Sequence, residues 1–134
     1  MEMTLRWYGS KFDTVTLKQI RQIPGVTGVI TTLYDTAPGE VWSRERIKEM
    51  KDEVEKSGLH VSGIESVNVH DAIKVGTSDR DKYIDNYIET LENLGKEDIH
   101  LQENVQTVQP CLHTIKMILI KSFPRRCLNL FQRI

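Results

Sequence analysis

Apolar positions along the first hundred residues fall into two rhythms that take turns. LRWY (5–8) is a short apolar-aromatic run stopped by Gly9, which predicts a strand. Thr16 can cap a short helix, LKQIRQI, with Leu17, Ile20 and Ile23 at helical spacing, and Pro24-Gly25 ends it. VTGVITTLY (26–34) is rich in β-branched residues and predicts a buried strand. Ser43 suits the N-cap of a helix over 44–57, with Ile47, Met50 and Val54 on one face and Gly58 at its C-terminal cap. LHVSGIES (59–66) predicts the third strand. Ser78 and Asp81 then resemble a capping box ahead of the most periodic helix in the chain. Its stripe is Tyr83, Ile84, Tyr87, Ile88, Leu91 and Leu94, with Gly95 as its end. DIHL (98–101) would begin a fourth strand.

Strands alternating with helices of this length predict an α/β fold with parallel pairing and right-handed crossovers. In such folds the chemistry collects in the loops after the carboxyl ends of the strands. Three polar clusters fall there: Arg6-Trp7-Tyr8, the stretch from Thr31 to Asp35, and the stretch from Glu65 to His70.

At a strand end, Glu65 can act as a general base, accept a substrate hydroxyl or stand behind a metal ligand. It can equally cap loop amides or pair with Arg6. The Arg6 fork suits a carboxylate or phosphate, and a salt bridge to a neighbouring strand suits it as well. His70 can be a ligand, a proton carrier or a substrate contact, or simply a solvated loop residue. Trp7, Tyr8, Tyr34 and Trp42 offer a floor for a sugar, although aromatics at strand ends commonly belong to the core. Asp35 and Glu40 read as solvated or turn-capping. His60, early in its strand, reads as structural. RERIKEMKDEVEK reads as a solvated helix face with pairs such as Lys48–Asp52. GxGxxG, the P-loop, GxSxG and HExxH are all missing from the sequence.

Composition narrows the classes. A net charge of −1 argues against nucleic acid as a partner. No run approaches the roughly 20 apolar residues of a membrane span. MEMTLRWYGS has no signal-peptide pattern, and Cys111 and Cys127 form no CxxC, so a reducing cytoplasmic setting is expected. Homo-oligomerisation is left open. The charge is uneven: residues 1–100 hold 13 Lys+Arg against 18 Asp+Glu, and residues 101–134 hold five against one.

The wording goes further than these motifs. MEMTLRWYG, IRQIPGVTGVITTL, PGEVWSRERI, GLHVSGIESVNVHDAIK and NYIETLENLG, in this order, resemble the start of a mannonate dehydratase from residue 1 to about 98. Asn68 stands where relatives tend to have proline, and Asp71-Ala72 where they have a more acidic pair. The resemblance implies the first three to four βα units of a (β/α)8 TIM barrel, left incomplete. It implies a lyase that removes water from D-mannonate to give 2-keto-3-deoxy-D-gluconate in hexuronate breakdown, with Mn²⁺ or Fe²⁺. Arg6 and His70 would contact the sugar acid, and Glu65 would orient a hydroxyl or metal-bound group. The family's metal ligands come from later strands and would be absent from this chain, leaving it inactive alone. The family's VCYNFMP-like segment is missing after the third long helix, and Cys111 does not occupy the family cysteine's place. Residues 1–99 are therefore expected to form a partial barrel, and residues 100–134 a divergent basic tail from a frameshifted or unrelated reading. A non-catalytic α/β domain that binds a sugar acid or a protein partner is the alternative.

Overall fold

A computed structural model of the chain describes residues 2–100. They belong to a compact unit, Met1–Asn104; the second unit, Val105–Ile134, lies outside the described residues, and with it the expected tail. The elements run β1 (Met3–Arg6), α1 (Leu17–Arg21), β2 (Val26–Thr31), α2 (Arg44–Glu55), β3 (His60–Ile64), α3 (Asp71–Val75) and α4 (Arg80–Lys96). The three strands form one parallel sheet in the order β1-β2-β3. The alternation in the sequence thus produces a mixed α/β fold with a small parallel sheet. Beyond β1, the Trp7 amide still donates to the Ile30 carbonyl at 2.9 Å.

Helix caps fall where side-chain chemistry can satisfy free amides. Thr16 and Gln19 form a reciprocal capping box on α1. The Ser43 hydroxyl accepts from the Arg46 amide at 3.3 Å to open α2. The expected Ser78–Asp81 box does not form. Asp79 occupies the N-cap of α4 without a side-chain cap bond, because its carboxylate instead accepts from the Thr77 hydroxyl at 2.5 Å. Gly95 does not end α4; the helix runs on to Lys96, and the chain turns at Asp98, whose φ is +56°. A short helix that the apolar pattern did not announce, α3, begins at Asp71 and closes on Gly76 at φ +77°.

The fourth strand is not formed at Asp98–His100, and Leu101 lies outside the described residues. The Ile64 amide nevertheless donates to the His100 carbonyl at 2.8 Å, so the chain re-enters beside β3.

One side of the sheet is sealed by α1 and α2. Trp7, Leu17, Ile20, Val26, Val29, Val54 and Leu59 form a continuous buried cluster. Each such side chain contributes about 1.5–3 kcal/mol of transfer free energy on burial. The predicted α4 stripe is only partly realised: Tyr87 and Leu94 are buried, and so are the polar Thr90 and Asn93. Those two hold the backbone of the β2–α2 connection. The Trp42 amide donates to Thr90 Oγ1 at 3.1 Å, and Asn93 Nδ2 donates to the Trp42 carbonyl at 3.0 Å. One turn earlier, Asn86 Nδ2 donates to the Gly39 carbonyl at 2.7 Å. A polar seam on α4 therefore satisfies loop groups that would otherwise be buried without partners.

Candidate active-site rim

The carboxyl ends of β1 and β3 are brought together by an ion pair that spans the strand between them. Arg6 Nη2 lies 2.6 Å from Glu65 Oε2, while the Glu65 amide donates to the Thr31 carbonyl of β2 at 2.9 Å. The Arg6 guanidinium also sits over the Tyr8 ring at 4.4 Å. About half of the Arg6 side chain remains exposed, against 23 % for Glu65. The pairing of these two residues was one reading of the sequence, and it is the arrangement found.

Tyr34 packs beside this pair, 5.4 Å from Tyr8 and 6.0 Å from Phe12 between ring centroids. Its hydroxyl is buried. Burial raises the pKa of the phenol, and hydrogen bonding to Arg6, with the Arg6 charge, opposes that rise.

His70 is placed differently. Its Nδ1 accepts from the Ala72 amide at 3.1 Å and so caps α3. Its ring stacks on Tyr83 at 3.6 Å with planes 8° apart. Accepting at Nδ1 fixes the neutral tautomer with the proton on Nε2. Gly39 makes this packing possible: a Cβ there would lie 2.6 Å from the Tyr83 ring and 2.9 Å from His70, and its φ is +87°. No contact joins His70 to Arg6 or Glu65 among the described residues.

The remaining candidates separate cleanly. Trp7 and Trp42 are core residues, 2 % and 4 % exposed. Asp35 is more than a solvated loop acid: Arg46 Nη2 lies 2.7 Å from it. That hydrogen bond holds the Asp35 carboxyl below its ordinary value, against some desolvation. Glu40 accepts from the Ala37 amide at 3.3 Å, a turn-capping role. His60 pairs with Glu2 at 2.6 Å, and Thr27 and Ser62 also donate to that Glu2 oxygen. Among the described residues no Lys48–Asp52 ion pair forms; the pairs of α2 are Arg46 with Asp35 and Glu49, and Arg44 with Glu97. Sequence reasoning missed the Tyr83 stack and the Asn86–Thr90–Asn93 seam. The only signal for either was their shared face on α4.

Among the described residues no three His, Cys, Asp or Glu side chains converge to hold a metal ion. Glu65 is committed to Arg6, and His70 Nδ1 to a backbone amide. The described residues therefore do not fit the metal that the resemblance implies. Among the described residues no helix is long and apolar enough to cross a membrane.

A parallel βα array with an arginine–carboxylate pair on its carboxyl rim has the layout of an α/β enzyme. Comparison with known proteins makes this specific. The sequence model of the D-mannonate dehydratase (UxuA) family matches residues 1–104, and the chain belongs to that family. Mannonate dehydratase of Brachyspira hyodysenteriae is 65 % identical over 101 residues, which is 75 % of this chain and 28 % of that protein. Its Thermotoga petrophila counterpart is 58 % identical over 96 residues, or 72 % of this chain and 27 % of that one. The crystal structure of mannonate dehydratase from Streptococcus suis serotype 2 matches with a TM-score of 0.71 at 45 % identity, covering 74 % of this chain and 28 % of that one. The chain thus spans little more than a quarter of the length of these relatives. The match is confined to the stretch before the change in charge.

Proposed function

We propose that residues 1–99 are the first three to four βα units of a (β/α)8 barrel and form the sugar-acid-holding wall of a mannonate dehydratase site. The reaction is removal of water from D-mannonate to give 2-keto-3-deoxy-D-gluconate. The observation that carries this reading is the Arg6–Glu65 pair on the strand-end rim. Arg6 spends one donor on Glu65 and has others for a substrate carboxylate, a geometry the guanidinium fork favours. Glu65 fixes the direction of that fork, and its second oxygen can accept a substrate hydroxyl. His70, proton on Nε2, can donate to an oxygen of the sugar acid from the neighbouring loop.

The roles given to these three residues are to hold and to orient. Dehydration next to a carboxylate also needs stabilisation of an enediolate and an acid for the departing hydroxyl. The Mn²⁺ or Fe²⁺ expected from the resemblance has no ligand cluster among the described residues. A complete barrel takes roughly 250 residues. On this reading the 134-residue chain does not turn over D-mannonate by itself.

A chimera tests the wall directly: residues 1–99 replace the matching stretch of the Brachyspira hyodysenteriae relative. In it, Arg6→Ala should raise KM for D-mannonate by at least tenfold, about 1.4 kcal/mol of binding. Arg6→Lys should fall between, because it keeps the charge and loses the fork. An active chimera whose KM ignores both changes would show that Arg6 does not hold the substrate.

A further inference from the structure

Three of the four aromatics that the sequence offered as a sugar floor share a cleft beside the Arg6–Glu65 rim. Trp7, Tyr8 and Tyr34, with Phe12, line a space of about 360 Å³ between the β1–α1 connection, the β2–α2 connection and α2. Neither Arg6 nor Glu65 lines it. The volume lies within the range of small-ligand sites, about 300–1,000 Å³.

The lining is mixed in a way that selects a ligand. Lys11 and Arg46 supply donors, and Asp35, Glu49 and Glu53 supply acceptors. Both cations are already turned toward Asp35, at 4.0 Å and 2.7 Å. A carboxylate ligand would meet three carboxylates, and an ammonium ligand would meet two cations. Hydroxyl groups, which donate and accept, suit both kinds of lining. The Thr31 hydroxyl belongs to the same lining; it is buried and lacks a hydrogen-bond partner among the described residues. Thr31 is only 1 % exposed, whereas Phe12, in the same lining, is 59 % exposed. An aromatic surface left open to solvent among polar donors and acceptors complements a ring with an apolar face and polar edges.

We infer that this cleft is a second binding site, for a neutral polyhydroxylated ring of monosaccharide size, adjoining the sugar-acid wall but lined by neither Arg6 nor Glu65. The inference does not depend on the proposed dehydratase role.

The test is titration of the ¹⁵N-labelled full chain with D-glucose and D-mannose, with sodium D-gluconate as the anionic counterpart, followed by amide shifts. The neutral sugars should move the amides of residues 8–13 and 33–35, and gluconate should bind there more weakly. Phe12→Leu, at an exposed position, should leave the spectrum dispersed and weaken neutral-sugar binding roughly three- to tenfold. The inference is overturned if neither neutral sugar moves these amides. It is also overturned if gluconate binds them as tightly, or if Phe12→Leu leaves the affinity unchanged. Shifts confined to Arg6 and residues 65–70 would assign the sugar to the rim and remove the second site.

Discussion

Replacing Thr90 with valine probes the seam that fixes the β2–α2 connection. Thr90 is fully buried; its hydroxyl accepts from the Trp42 amide at 3.1 Å and donates to the Asn86 carbonyl at 2.9 Å. Valine has nearly the same shape, so Thr90→Val leaves the packing in place and strips the Trp42 N–H of its acceptor. A buried donor left unsatisfied costs about 1–3 kcal/mol. Thr90→Ser is the comparison: it keeps the hydroxyl and gives up one methyl group, worth about 0.8 kcal/mol. A domain of this size loses roughly 4–8 °C of Tm per kcal/mol, so the valine variant should melt at least ~4 °C below wild type. Urea and thermal unfolding followed by tryptophan fluorescence report directly, because Trp42 sits at the site and is 4 % exposed. If Thr90→Val proves as stable as wild type, or more stable than Thr90→Ser, the hydroxyl does not hold the loop.

Two further outcomes follow from the same geometry. His70→Ala removes both the α3 cap and the Tyr83 stack, and should cost about 1 kcal/mol for the cap with a further ~0.5–1.5 kcal/mol for the stack. His70→Asn should recover the cap alone, and hydrogen exchange at the Ala72 amide would separate the two. The Asp35–Arg46 pair gives a pH dependence whose sign is set by the lowered Asp35 pKa. Its stabilisation is complete above the unfolded carboxyl value near ~3.9 and is lost as pH falls through the lower folded value. Asp35→Asn should therefore cost about 0.2–1 kcal/mol at pH 7 and flatten the acid limb of the stability curve. An unchanged acid limb would mean that Asp35 is not paired in solution.

The alternation of β-branched runs and i, i+3/i+4 stripes was enough to place three parallel strands and their carboxyl rim. It worked because each period has one physical cause, the burial of one face. What stayed illegible depends on partners distant in sequence. Thr90 and Asn93 interrupt an apolar stripe and look like surface positions until Trp42, some fifty residues earlier, lays its backbone against them. His70 reads as a loop histidine because nothing in VNVHDAIK reveals that Nδ1 will cap α3 or that Tyr83 will cover the ring. Arg6 and Glu65 were legible as a pair because strand-end residues of a parallel sheet can meet in few ways. Gly95 misled because glycine is tolerated one residue inside a helix end, while Asp98 took the left-handed conformation instead.

Family membership and rim geometry point the same way, but they bear on different things. The comparisons identify relatives named mannonate dehydratase, and the ion pair sets the direction of an arginine fork on the strand-end rim. On the proposed reading, a carboxylate with one oxygen paired to Arg6 and a histidine whose Nδ1 caps a helix are held in place to orient a substrate. Residues 1–99 should therefore supply binding and orientation to an otherwise complete enzyme.

The most direct measurement is product formation by the unsubstituted chimera, loaded with its metal and given D-mannonate. 2-Keto-3-deoxy-D-gluconate should accumulate at a rate comparable to that of the Brachyspira hyodysenteriae protein. A chimera that folds, binds metal and yields no product would contradict that expectation.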